Sequence, residues 1–297
     1  MSATAEATKI SVETAHDTPA TARPRADWSL WRRQALAVMR IELRKNFLSR
    51  RSLLLYLLAG LPLGLLALLN LIPPDASDFR DFTLLHQLYA AIYNGLILHT
   101  LLFFGCAWVF MNLFRGEVVD RSLHYYFLTP ARREVLVVGK YLSGLVTTVV
   151  MFGVATVGSM LLLYFVRFYS ESTRYFFDGP GLRQLLVYLS ITALACVGYG
   201  AIFLAVGLLF RNPVIPALVF YGWEWINFLL PPLLKKISVI HYLDSLRPVP
   251  MSEGPFAVLA EPTPAWISVP SLFVFTLAVL ALASLYIRRM EISYAGE

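Results

Sequence analysis

Charge is scarce in this chain, and where it is missing it is missing for long stretches. Only 15% of the 297 residues are Asp, Glu, Lys or Arg, against roughly 25% in a soluble domain. The charged residues are also clustered. Charge-free runs occupy 52–74, 82–114, 141–166, 184–210 and 262–287, and a sixth, 212–234, carries only Glu224. Each is longer than the roughly 20 apolar residues needed to cross a bilayer. A soluble core would have to hide several apolar helices longer than the ordinary range of roughly 8–20 residues. The fold class expected is therefore an all-α polytopic membrane protein with six transmembrane helices, and no sizeable soluble domain is expected.

Other absences narrow the chemistry. The only two cysteines, Cys106 and Cys196, fall inside apolar runs and outline no disulfide framework. HExxH, GxSxG and paired acidic motifs are missing, so no enzyme constellation is expected. Gly153 to Ser159 superficially resembles a phosphate-binding loop, but it lacks the lysine and lies in an apolar run. His86, His124 and His241 fall on opposite membrane faces in the topology below, so no shared metal is expected. Residues 1–27, rich in Ala, Thr and Ser with Pro19 and Pro24, show no apolar period. They read as a disordered tail without the apolar region of a cleavable signal peptide.

Helical pattern begins at Trp28. Trp28, Trp31, Ala35, Met39, Leu43 and Phe47 recur at spacings of three and four, while Arg33, Arg40, Arg44 and Arg51 fall on another face. That predicts an amphipathic helix over 28–51 lying in the membrane interface, with Trp31, Arg40 and Arg44 facing lipid and headgroups. Glu42 is expected to find a partner within this helix. Spans are expected at about 53–72, 90–114, 138–165, 184–209, 213–230 and 266–287. From residue 28 on, segments on the N-terminal side of the membrane hold 15 Lys and Arg and the opposite loops hold 7, which places both termini in the cytoplasm. The net charge of +6 then reflects topology and attraction to membrane lipids, not nucleic acid. Gly144, Gly153, Gly158 and Ser159 are expected to let span three pack closely. Residues 167–183 read as an outer loop ending in the turn Asp178-Gly179-Pro180-Gly181. The outer segment 233–263 reads as short helices dipping toward the membrane, and 290–297 as a C-terminal tail.

Two polar features interrupt this pattern. Glu224 sits within a span, where a carboxylate is costly and must face a cavity or a partner. It is either a functional group or a structural hydrogen bond to His99 or Tyr221. Glu224, His99, Tyr221 and Trp225 are the candidate substrate-pathway residues. The second feature is the connector Arg115–Lys140, which packs five basic and three acidic residues around a break at Thr129-Pro130 and the aromatic triplet Tyr125, Tyr126 and Phe127. The triplet suits an interfacial belt; the connector as a whole suits a handle for a soluble partner.

The basic first helix, the six spans and the connector together resemble the permease subunits of ABC type-2 transporters, over roughly Trp28 to Arg289. The residues carrying the resemblance are Glu117, Arg121-Ser122-Leu123, Thr129-Pro130, Arg132-Arg133 and Gly139-Lys140; Arg121 stands where a glycine is usual. The resemblance implies a permease that moves an amphiphilic or lipid-like substrate outward across a bacterial cytoplasmic (inner) membrane. It also implies separately encoded ATP-binding subunits carrying ATP and Mg, no cofactor on this chain, and a second permease copy or homologue in a 2+2 assembly. Coupling to the ATPase would fall to Glu117, Arg121, Ser122, Leu123, Pro130, Arg132, Arg133 and Lys140, and outer helices between spans five and six would cap the exit. Two other readings stay open. One is a non-transporting anchor that passes force from an ATPase to a membrane partner; the other is a membrane-embedded lipid enzyme using Glu224 as acid or base.

Overall fold

The computed structural model describes residues 28–50, 52–71, 82–119, 133–167, 169–249 and 263–289. The described residues form helices joined by turns and short irregular links, with no strand among them. In chain order the helices are α1 (Trp28–Leu48), α2 (Ser52–Asn70), α3 (Phe82–Ile92), a π-helical segment (Tyr93–Leu102), α4 (Phe103–Val119) and α5 (Arg133–Arg167). They continue with α6 (Tyr169–Phe177), α7 (Gly181–Leu209), α8 (Val214–Trp225), a 3-10 turn (Ile226–Leu229), α9 (Pro232–Lys235), α10 (Val239–Asp244) and α11 (Ala265–Arg289). The tails 1–27 and 290–297, the outer residues 250–262, and the connector residues Arg121, Ser122, Leu123, Pro130 and Arg132 lie outside the described residues.

Five helices are long and apolar enough to cross a membrane: Ser52–Asn70, Leu84–Gly116, Arg133–Val166, Gly181–Leu209 and Ala265–Arg289. The chain is thus an integral, multi-pass membrane protein. Pro62 sits inside α2 without ending it. The remaining expected span, 213–230, is not one such helix. It forms the 12 residues of α8 and then a single 3-10 turn. Its α-helical part rises only about 18 Å, short of the roughly 30 Å hydrocarbon core.

α7 is the axis of the bundle. Of its most apolar stretch 78% is buried, against 22% for α11 and 28% for α2. It packs along α4, α5 and α11, with α10 also against it. Close approach has a backbone cause at Gly207, where a Cβ would stand 2.7 Å from Met111 Cα. The outward faces of α2 (Leu53, Leu57, Leu68), α8 (Ile215, Val219) and α11 (Trp266, Val274, Leu277) are exposed and apolar, as lipid contact requires. In α5, a Cβ at Gly144 or Gly158 would stand 2.7 Å from the Phe110 ring or 2.8 Å from Leu63, whereas one at Gly153 would meet only Leu189, at 3.7 Å.

Three local features depart from the sequence pattern. Residues 169–177, expected as loop, form α6, held by rings: Tyr175 stacks on Tyr164 (5.8 Å, 3° between planes) and meets His86 edge-on at 4.5 Å. From Trp31 on, the apolar stripe of α1 is half-covered by protein, while Trp28 is exposed. Trp31, Ala35, Val38, Met39, Leu43 and Phe47 are half-buried while Arg40 and Arg44 are exposed, and α1 packs along the first half of α5. The contacts run from Gly139 against Ala35 O to Thr147 against Asn46, so both helices run in the same sense. The third is the π-helical stretch inside the second span.

Candidate functional site

α5 is 35 residues long, about 52 Å. Its charge-free part begins only at residue 141, so its first two turns carry polar residues at the edge of the apolar layer. Lys140 closes that stretch. Its Nζ donates to Glu42 Oε1 at 2.8 Å and to the Leu113 carbonyl at 2.8 Å, and it stands 5.4 Å from the centre of the Phe114 ring. Both partners of the ion pair are buried, with side-chain exposures of 0% and 2%. One ammonium therefore joins α1, α4 and α5. This corrects the expectation for Glu42: its partner is on another helix, because the apolar stripe containing it is pressed against α5.

Arg133 also has a structural partner. Its Nη1 donates to the carbonyls of Ile287 (3.1 Å) and Arg288 (3.3 Å), oxygens that the end of α11 leaves without an intrahelical donor. Glu134 pairs with Arg288 alongside. Of the connector residues singled out from sequence, Lys140 and Arg133 thus lie in packed contacts at the root of the connector. Glu117 lies on the last turns of α4, with its side chain outside the described set.

Glu224 is the second buried carboxylate, 4% exposed. It accepts hydrogen bonds from Ser238 Oγ (2.6 Å), the Val239 amide (3.1 Å), the Ile240 amide (3.0 Å) and the Tyr199 hydroxyl (3.3 Å). Its hydrogen bonds go neither to His99 nor to Tyr221. Tyr199 lies ten residues before the end of α7, about 15 Å from that end and well inside the apolar layer. The start of α10 is held at the same depth, where Val239 packs on Gly198. α8 therefore ends at the depth of Tyr199, the chain breaks through the 3-10 turn and α9, and α10 begins from the break. Non-helical backbone at such depth is tolerated only where its polar groups are satisfied by protein. The Glu224 carboxylate satisfies the two leading amides of α10 and stitches the break to α7.

The other pathway candidates are separate from this knot. Tyr221 packs its ring on Phe103 (5.2 Å) and Phe104 (4.8 Å). Trp225 is 61% exposed and meets Phe228 edge-on. His99 lies in the π-helical segment with its Nδ1 2.7 Å from the Asn94 carbonyl; because a carbonyl only accepts, Nδ1 carries the proton there. Thr100 donates to the Gly95 carbonyl at 3.0 Å. Gly95 is exposed, with open space where a Cβ would be. The buried Asn94 Oδ1 has no hydrogen-bond donor among the described residues. The buried face of the segment is Tyr93, Ile97, Leu98, Leu101 and Leu102, so its other face is a polar strip (Asn94, Gly95, His99, Thr100) in the middle of a span. π-helical turns inside α-helices recur at functional sites. Sequence reading picked out His99 alone; the one signal for its companions was the polar spacing Asn94, His99, Thr100 within a charge-free run.

No cluster of three or more His, Cys, Asp or Glu side chains able to hold a metal occurs among the described residues. The chain matches no family model, no curated protein and no solved structure.

Proposed function

We propose that this chain is the transmembrane permease subunit of an ATP-driven exporter, energised by a separately encoded ATP-binding subunit that docks on residues 117–133. The reading rests on one observation: the Lys140 clamp. The helix entering the connector, the helix leaving it and α1 are tied by one buried ammonium, seven residues into α5 and six before the end of α4. A push on the connector would move these helices as one body. The Arg133 contacts add the end of α11 to that body.

The polar strip on the π-helical segment supports passage of a substrate over a purely mechanical role. Asn94, His99 and Thr100 are costly against lipid, and their cost is relieved if they line a path or an interface with a second copy. In this reading α8, the break at Glu224 and α10 together make the sixth crossing, and both termini lie in the cytoplasm. The substrate class is amphiphilic, and the anchor reading is the competitor.

The test is to purify the full-length tagged chain from its native membrane in mild detergent and measure co-purifying Mg-dependent ATPase activity. A companion ATPase is expected, and it should be lost when Glu117, Arg121, Arg132 and Arg133 are all changed to Ala while the amount of chain in the membrane is unchanged. A chain that carries no ATPase under these conditions refutes the proposal. ATP-driven uptake of a lipophilic dye into inside-out vesicles then separates transport from anchoring.

A further inference from the structure

A partly open cleft of about 110 Å³ lies between the end of α1, the first turn of α2 and α4. Its polar wall is Glu42, Lys45, Asn46, Ser49 and Asn112, and its apolar wall includes Leu55 and Val109. Its depth is marked by the sequence: charge-free runs begin at 52 and 141 and end at 114, and all three boundaries meet around it. That is the level of lipid headgroups if these helices cross a bilayer. The wall carries both signs of charge. Lys45 is exposed at the rim. Glu42, 1% exposed, gives Oε1 to Lys140. Asn112 donates its amide to the Trp108 carbonyl at 2.6 Å, which leaves its side-chain oxygen as an acceptor, and Asn46 likewise donates its amide to Thr147.

We propose that this cleft holds the headgroup of a bilayer phospholipid that carries both a phosphate and a primary amine. The phosphate is matched by the Lys45 ammonium and the Ser49 hydroxyl. The amine is matched by acceptors deeper in the wall, the second Glu42 oxygen and the Asn112 side-chain oxygen, and the acyl chains lie along Leu55 and Val109. A headgroup with a phosphate and hydroxyls but no cation, such as a phosphoglycerol, would leave the Glu42 carboxylate without a countercharge in the cleft. A choline headgroup has a cation but no N–H. The lipid would brace α1 and α4, two of the three helices that Lys140 clamps, together with the α1–α2 corner. The inference needs only that the helices cross a membrane, and it stands whether or not the chain is a permease.

The test uses native mass spectrometry of the delipidated full-length chain with phosphatidylethanolamine, phosphatidylglycerol and phosphatidylcholine of matched acyl chains. Retention of the ethanolamine lipid about tenfold above the other two is expected, a factor within reach of one or two charge-assisted hydrogen bonds. Asn112→Leu, which removes an acceptor for the amine, should abolish that preference, Lys45→Ala with Ser49→Ala should weaken retention of all three lipids, and Val109→Trp, which fills the cleft with apolar bulk, should also abolish the preference. Arg33→Ala, on the same helix but away from the cleft, should keep it. Equal retention of all three lipids, or equal loss in the Arg33 variant, overturns the site; retention of the glycerol lipid at or above the ethanolamine lipid overturns recognition of the amine. Soluble O-phosphoethanolamine in excess should fail to displace the lipid, and complete displacement would overturn a lipid as occupant in favour of a soluble phosphoester.

Discussion

Glu42 and Glu224 are both almost fully buried, in a chain whose apolar runs contain so little else that is charged. They are accommodated in opposite ways. Glu42 meets an ammonium from another helix at 2.8 Å. Among the described residues, Glu224 has only hydroxyl and amide donors within hydrogen-bonding distance, four of them. The first arrangement joins three continuous helices at the edge of the apolar layer; the second repairs a break in the middle of it. A counter-ion suits a place where helices must be held in fixed relation. Dipolar donors suit a place where loose backbone amides need an acceptor.

The largest expected effect comes from removing the counter-ion. Lys140→Met leaves Glu42 buried and unpaired and should cost about 3–5 kcal/mol, read as a large drop in melting temperature in detergent. Adding Glu42→Gln to that variant should recover much of the loss, since the two changes belong to one interaction. If Lys140→Met costs less than about 1 kcal/mol, the range of an exposed pair, the contrast between the two sites fails. Next comes Glu224→Ala, which strands the Ser238 hydroxyl and two amides and should cost about 2–3 kcal/mol, while Glu224→Gln keeps an acceptor and should cost roughly 1 kcal/mol. Comparable melting of the two Glu224 variants would mean that the carboxylate does not serve the break.

Packing around the two sites offers a finer test. At Gly139, beside the Lys140 clamp, a Cβ would stand 3.0 Å from the Ala35 carbonyl and from Val38, whereas at Gly198, beside the break, it meets only the Leu272 and Val239 side chains at 3.1 Å. Backbone yields less than side-chain ends. Gly139→Ala should therefore lower stability by about 1–2 kcal/mol and Gly198→Ala by less than about 1 kcal/mol; the reverse order in thermal melts would show the break to be the stiffer region. The smallest change is Tyr199→Phe, which removes the longest of the four bonds to Glu224 and should cost about 0.5–1 kcal/mol in the same assay.

Much of the fold was legible because burial in a membrane demands length. A run of more than 20 residues without charge leaves the backbone few choices but helix, and five of the six runs are helices of that kind. The candidate site was legible only as residue identities. Glu224 and His99 stood out as polar groups in apolar surroundings, yet the partners inferred for Glu224, His99 and Tyr221, were not the ones it has. Tyr199 and Ser238 are 25 and 14 residues away, and nothing periodic in the sequence joins them to it. The helix at 169–177 was hidden for a related reason: its support is a set of ring contacts with His86 and Tyr164, made across helices.

By itself, then, the sequence determined that this protein is a bundle of membrane-crossing helices with a polar connector between two of them, because hydrophobic length and the location of charge are one-dimensional properties. Tertiary structure alone decided which carboxylate meets which donor, that the apolar run 212–234 is broken after Trp225 and stitched to α7, and that the first helix rests on α5. Those outcomes depend on which groups converge at one depth when long helices pack side by side, and convergence is set by three-dimensional register between segments up to 155 residues apart.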